Sequence, residues 1–169
     1  FHVGGCVAAS QGAVPTPALG NLTGDAKLEI VVCGSDGRVR VLDAAGQDVV
    51  PGGFVAGTTT ESSPILGDLD GDPGIEIVLG DENGILHAWN LDGTLVDGFP
   101  LSFPANVRAT PTLADVDHDG DADLVVSTFD GVVSVWDLGV PWNAARNPWP
   151  TYRGDPHRTG LFGYAVPTP

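Results

Sequence analysis

The sequence predicts an all-β chain of three four-stranded antiparallel sheets in tandem, and three observations predict it. The first is an internal repeat of 47 residues: Pro17, Pro64 and Pro111 share that spacing, as do Leu42, Trp89 and Trp136. The second is the pattern inside each repeat, where apolar runs of strand length flank Asp36-Gly37, Asn83-Gly84 and Asp130-Gly131, the strongest short hairpin signals. The third is composition: 24 Gly, 14 Pro and only 17% charged residues describe a turn-rich, strand-rich chain.

The elements follow in order within each repeat. A first strand follows the proline, over 18–22, 65–69 and 112–116, and an acidic loop comes next. The second strand is continuously apolar (Ile30-Val31-Val32, Ile77-Val78-Leu79, Leu124-Val125-Val126), as expected when both of its faces are buried. After the hairpin turn, the third strand alternates. Val39 and Val41, Leu86 and Ala88, and Val133 and Val135 share one face, with Arg38, Arg40, His87 and Ser134 on the other. A fourth strand is expected over 49–56 and 95–103. Four strands at this period are the blade unit of a β-propeller.

The predicted blades span residues 14–60, 61–107 and 108–139. Residues 1–13 match the end of a repeat, so 3–10 read as an outer strand whose sheet is otherwise missing. The third repeat shows no fourth strand and runs into a tail, 140–169, expected to pack on the last blade. The array is therefore incomplete, or completed by strand exchange with a partner, because closing on itself would give fewer blades than the usual four to eight or so.

Net charge is −15, with 22 acids against seven Lys and Arg, which argues against nucleic acid and anionic membrane surfaces as partners. No apolar run reaches the roughly 18 residues of a membrane span. The chain begins at Phe1 without an initiator Met, so a processed product or an excised part is expected. Cys6 and Cys33 are read either as one disulfide in an oxidising compartment or as two isolated buried thiols.

The charge is concentrated in three loops. Asp115-Val116-Asp117-His118-Asp119-Gly120-Asp121-Ala122-Asp123 puts five aspartates into nine positions with no Lys or Arg. Two like charges about 4 Å apart repel by roughly 4 kcal/mol near a protein surface, so such a loop calls for a cation. Asp115, Asp117 and Asp119 stand at positions 1, 3 and 5, and Asp123 at position 9, an alternation that converges oxygens as calcium loops do. The second repeat places Asp68, Asp70, Asp72, Gly74 and Glu76 in register; the first places Asn21, Thr23, Asp25, Lys27 and Glu29, with less charge. Two Ca²⁺ sites are expected, in the second and third loops, with the first as a weaker third candidate.

The segment from Leu66 to Gly93 and its two counterparts resemble the FG-GAP/VCBS-like repeat family, secreted bacterial propeller blades with D-x-D-x-D-G-x-x-[DE] loops. The resemblance spans residues 14–139. It implies calcium held by the acids at positions 1, 3, 5 and 9 of the second and third loops, with main-chain carbonyls from Gly74 and Asp121. The tail is similar to the segment that ends such arrays, and Arg153-Gly154-Asp155, which spells an integrin-binding tripeptide, belongs to that pattern. Trp89 and Trp136 share a repeat position and read as core; Trp142, Trp149 and Tyr152 leave sugar stacking open beside packing. Asn21-Leu22-Thr23 is a glycosylation sequon that competes with metal ligation, and Thr58-Thr59-Thr60 with Ser62-Ser63 forms a hydroxyl cluster open to O-glycosylation.

Catalysis finds little support: there is no G-x-S-x-G elbow, no zinc spacing among His2, His87, His118 and His157, and calcium geometry accounts for the paired carboxylates. The expected role is that of a secreted, non-enzymatic calcium-binding module, structural or adhesive. It would assemble with copies of itself or neighbouring repeats by strand addition, or bind surface glycans. The alternative is a targeting or substrate-binding appendage of a larger secreted hydrolase.

Overall fold

The computed structural model describes residues 15–34 and 36–162. The proposed outer strand at 3–10 and Cys6 lie outside them. Three antiparallel sheets follow one another. The first runs β1 (Ala18–Gly20), β2 (Glu29–Cys33), β3 (Arg38–Leu42), β4 (Phe54–Val55); the second β5 (Ile65–Gly67), β6 (Glu76–Gly80), β7 (Ile85–Trp89), β8 (Leu101–Ser102). The third has three strands, β9 (Thr112–Ala114), β10 (Asp121–Ser127) and β11 (Val133–Pro141). Two sheets thus carry the expected four strands and the third stops at three.

Registers repeat with the sequence. Leu19 faces Ile30, Leu66 faces Ile77 and Leu113 faces Leu124 across the first hairpins. The Asn83-Gly84 turn shows why glycine is needed: at φ +79 a Cβ on Gly84 would lie 2.6 and 2.7 Å from the carbonyl oxygens of Phe103 and Ala105.

The fourth strands are far shorter than the predicted 49–56 and 95–103. Each segment is broken by a turn at Pro51-Gly52-Gly53 or Asp97-Gly98-Phe99, closed by Gly53 N–H to Val50 and Phe99 N–H to Val96. In the third repeat the turn after the third strand is lost. Asn90 and Thr94 close it in the second repeat, whereas β11 continues until Pro141 pairs with Asp121. This elongation pairs along β10 and takes up the residues that would turn into a fourth strand, leaving β11 at the edge of the sheet.

Sheet faces pack against sheet faces. Val31, Val39 and Val41 of the first sheet meet Leu66, Ile77 and Leu79 of the second in one core. Val78, Leu86 and Ala88 of the second meet Leu113, Leu124 and Val126 of the third in another. β6 is buried along its whole length because it serves both cores. The expected inward set of the third sheet, Val133 and Val135, is instead 63% and 53% exposed. The facing is as predicted, but among the described residues no further sheet covers it.

The hydroxyl cluster is largely internal. Thr60, Ser62 and Ser63 are buried, and Ser62 Oγ donates to the Ala109 carbonyl 47 residues away. Thr16 N–H donates to Ser63 Oγ, again at an offset of 47. Equivalent positions of adjacent repeats therefore lie side by side, and the repeat length is locked by hydrogen bonds. O-glycosylation at these three residues is ruled out by their burial.

The tail reaches beyond the last blade. Trp142 N–H donates to Gly120 and Leu113 N–H to Pro150, both on the third repeat. Leu66 and Trp149 then exchange both backbone hydrogen bonds, and the Trp149 ring fills the core between the first and second sheets. A residue buried this deeply cannot stack on a sugar. Asp155 is buried as well, accepting from His157 N–H and from Thr159, so the Arg-Gly-Asp stretch is a structural turn rather than a presented recognition loop.

Candidate metal centre

Each acidic loop joins the first strand of its sheet to the second, and two of its acids do the same structural work in all three copies. The position-9 carboxylates, Glu29, Glu76 and Asp123, are buried and accept from the backbone N–H at position 2, each at 2.7 Å. The position-5 aspartates accept from the N–H at position 7: Lys27 to Asp25, Gly74 to Asp72, Asp121 to Asp119. Buried hydrogen-bonded carboxylates of this kind close the loop with or without a cation. Sequence reasoning missed this role. The signal was present, since positions 5 and 9 keep an acid in all three repeats while positions 1 and 3 do not.

Positions 1 and 3 set the copies apart. In the second loop carboxylate oxygens of Asp68, Asp70 and Glu76 lie within 4.8 Å of one another, and in the third so do those of Asp115, Asp117 and Asp123. Asp72 and Asp119 fall outside these triads. In the first loop Asn21 and Thr23 carry no charge, Asp25 is paired with Lys27 at 3.1 Å, and Thr23 Oγ1 donates to Glu29. The charged loops each retain an oxygen that the described residues do not satisfy: Glu76 Oε1 and Asp115 Oδ1 are buried without a hydrogen-bond partner. Buried carboxylate oxygens without donors are costly and suit a hard cation.

The second loop has a counter-charge of its own. Arg146, on the 3-10 turn Ala144–Arg146 of the tail, donates from Nε to Asp68 and from its terminal nitrogen to the carbonyls of Asp72 and Gly74. The guanidinium thus binds the oxygens that a cation in this loop would use, including the Gly74 carbonyl expected from sequence. No Lys or Arg salt bridge reaches the third loop among the described residues. Burial pushes the Glu76 carboxyl up to about 7, opposed by the Leu69 N–H and reinforced by Asp70, Asp68 and Asp72. Asp121 is raised by desolvation and then by Asp119, Asp137, Asp115 and Asp117. Burial first, and the repulsion inferred from the sequence after it, make these carboxyls reluctant to ionise.

Of the two tryptophans expected in the core, Trp89 lies within it and Trp136 is half-buried at its margin. Trp89 is buried and stacked on His87 at 4.9 Å and Phe54 at 5.5 Å, while Trp136 meets Phe103 edge-on at 5.5 Å.

Tandem antiparallel sheets with acidic strand-to-strand loops define a class, the all-β repeat modules built from propeller-like blades. Within it, residues 68–126, which include the second and third acidic loops, match the family model of the FG-GAP-like repeat. No curated protein matches the sequence. Among solved structures, the computationally designed Ika4 protein is 21% identical over 72% of this chain and 66% of its own, with a TM-score of 0.42. The structure of BBS1N in complex with ARL6DN, soaked with lead, is 20% identical over 74% of this chain, with a TM-score of 0.47. This chain spans 34% of the length of that one. Among the described residues, no helix is long and apolar enough to cross a membrane.

Proposed function

We propose that this protein is an extracellular, non-enzymatic repeat module that binds Ca²⁺ in its second and third loops and serves a structural or adhesive role. The observation that carries the reading is the pair of buried, unsatisfied carboxylate oxygens, Glu76 Oε1 and Asp115 Oδ1, each within a converging acidic triad. Oxygen-only ligands select a hard divalent ion over the soft metals that take Cys and His. Asp68, Asp70 and Glu76 would hold one ion and Asp115, Asp117 and Asp123 the other.

Self-association by strand addition belongs to the same reading. β11 is an edge strand of nine residues, and the first two sheets show where a fourth strand would pair. The outer strand expected at 3–10 of a neighbouring copy supplies the missing strand, a known mode of association.

Thermal unfolding with and without Ca²⁺ tests the metal reading. Calcium should raise the midpoint, and the double variant Glu76→Gln/Asp115→Asn should lose that response. A wild-type midpoint indifferent to calcium and chelator alike sinks it.

A second reading, a ligand-binding appendage, is favoured by a cavity of about 540 Å³ between β9 and the tail, lined by Trp142, Pro148, Pro150 and Phe162. Glycan binding lost on Trp142→Ala would select it.

A further inference from the structure

We propose that the exposed face of the third sheet receives the first sheet of a second copy of this chain. Val125, Val133 and Val135 would dock on Leu19, Ile30 and Val32, and the inference rests on the self-associating module proposed above. The halves of this interface already exist inside the molecule. Val31, Val39 and Val41 pack on Leu66, Ile77 and Leu79; 47 residues later Val78, Leu86 and Ala88 pack on Leu113, Leu124 and Val126. Advancing the first half once more yields Val125, Val133 and Val135. Setting the second half back once more yields Leu19, Ile30 and Val32.

Among the described residues no sheet faces these two sets, although Leu19 also packs at the margin of the first core. Val133 and Val135 are 63% and 53% exposed, and Leu19, Ile30 and Val32 are only partly buried, whereas the paired sets are at most 2% exposed. The named side chains at both ends are aliphatic, like the pairs that form the two cores, though on the first sheet they share their face with Arg40, which stands opposite Val32. The exposed valines of the third sheet are apolar surface of the kind that marks a docking site. Its occupant is specified by the chain itself, because the complementary relief is written on the first repeat.

Such a contact is heterologous: one copy's last sheet meets the next copy's first, and the rotation decides between ring and filament. Two copies would set six sheets about one axis, within the usual range of about four to eight.

Sedimentation of the full chain, wild type and two variants, tests the interface. Val135→Glu blocks the last face and Ile30→Glu the first; Val32→Glu replaces the latter if circular dichroism shows misfolding. Wild type should sediment at two or more times the 17.4 kDa monomer mass. Each variant alone should be monomeric, and an equal mixture should form heterodimers, since one intact face of each kind remains. A monomeric wild type overturns the proposal, as do assembly of Val135→Glu and a mixture that stays monomeric. The calcium response of the melting midpoint is read separately, so failure here leaves that outcome distinguishable.

Discussion

At the scale of single residues, Glu76 reports the state of its loop. Its folded pKa lies near 7, above the ordinary 4.5. Between those values the folded protein binds more protons than the unfolded chain, so stability falls as pH rises through that window, by at most about 1.4 kcal/mol per pH unit for one group. Chemical denaturation across pH 4.5–7 in chelator should show the fall. Saturating calcium should flatten it by favouring the ionised carboxylate, and Glu76→Gln should remove it. Arg146 makes the second loop differ from the third: calorimetric titration of Arg146→Ala should show tighter binding in the second loop, because a tethered competitor for Asp68 is gone. His118 stands at position 4 of its loop with φ +65, where the other copies have Gly24 and Gly71 at φ +77 and +79. His118→Gly should relieve a left-handed strain of about 1 kcal/mol and raise the melting temperature.

Among the loops and strands, two kinds of acid should separate by experiment. Glu29→Ala removes the acceptor for Leu22 and Thr23 N–H in a loop with few charges, so it should destabilise by about 1–3 kcal/mol whether or not calcium is present. Asp115→Asn should matter chiefly when calcium is added. Denaturant melts of both, with and without the ion, check the contrast. The repeat, the acidic loops and the apolar second strands were legible because period, charge and alternation are local properties. The extent of the fourth strands was overestimated, because the apolar residues at 49–56 and 95–103 outweighed the turn signals Pro51-Gly52-Gly53 and Asp97-Gly98 that break them. The double duty of the position-9 acids was signalled by the acid kept in all three loops but was overlooked, since a metal ligand and a hydrogen-bond acceptor look alike in sequence. The place of Trp149 stayed open in the sequence for a further reason: its partner Leu66 lies far away in the chain, and no periodicity links them.

The whole molecule carries −15 charges on 169 residues, and self-repulsion of that size favours expansion. Raising the ionic strength in chelator should therefore raise the melting midpoint, and a smaller concentration of calcium should do more, since it adds site binding to screening. Site affinities of about 10⁻⁴ to 10⁻³ M would give roughly 0.4–1.4 kcal/mol per site at millimolar calcium. The middle sheet, walled in by its neighbours, gives the array an uneven endurance. Its amide protons should outlast those of the flanking sheets in deuterated solvent, and clipping the chain ahead of Trp149 should shorten their lifetime, because that ring plugs the seam at their side. A peripheral tail thus governs how long the centre of the molecule stays shut.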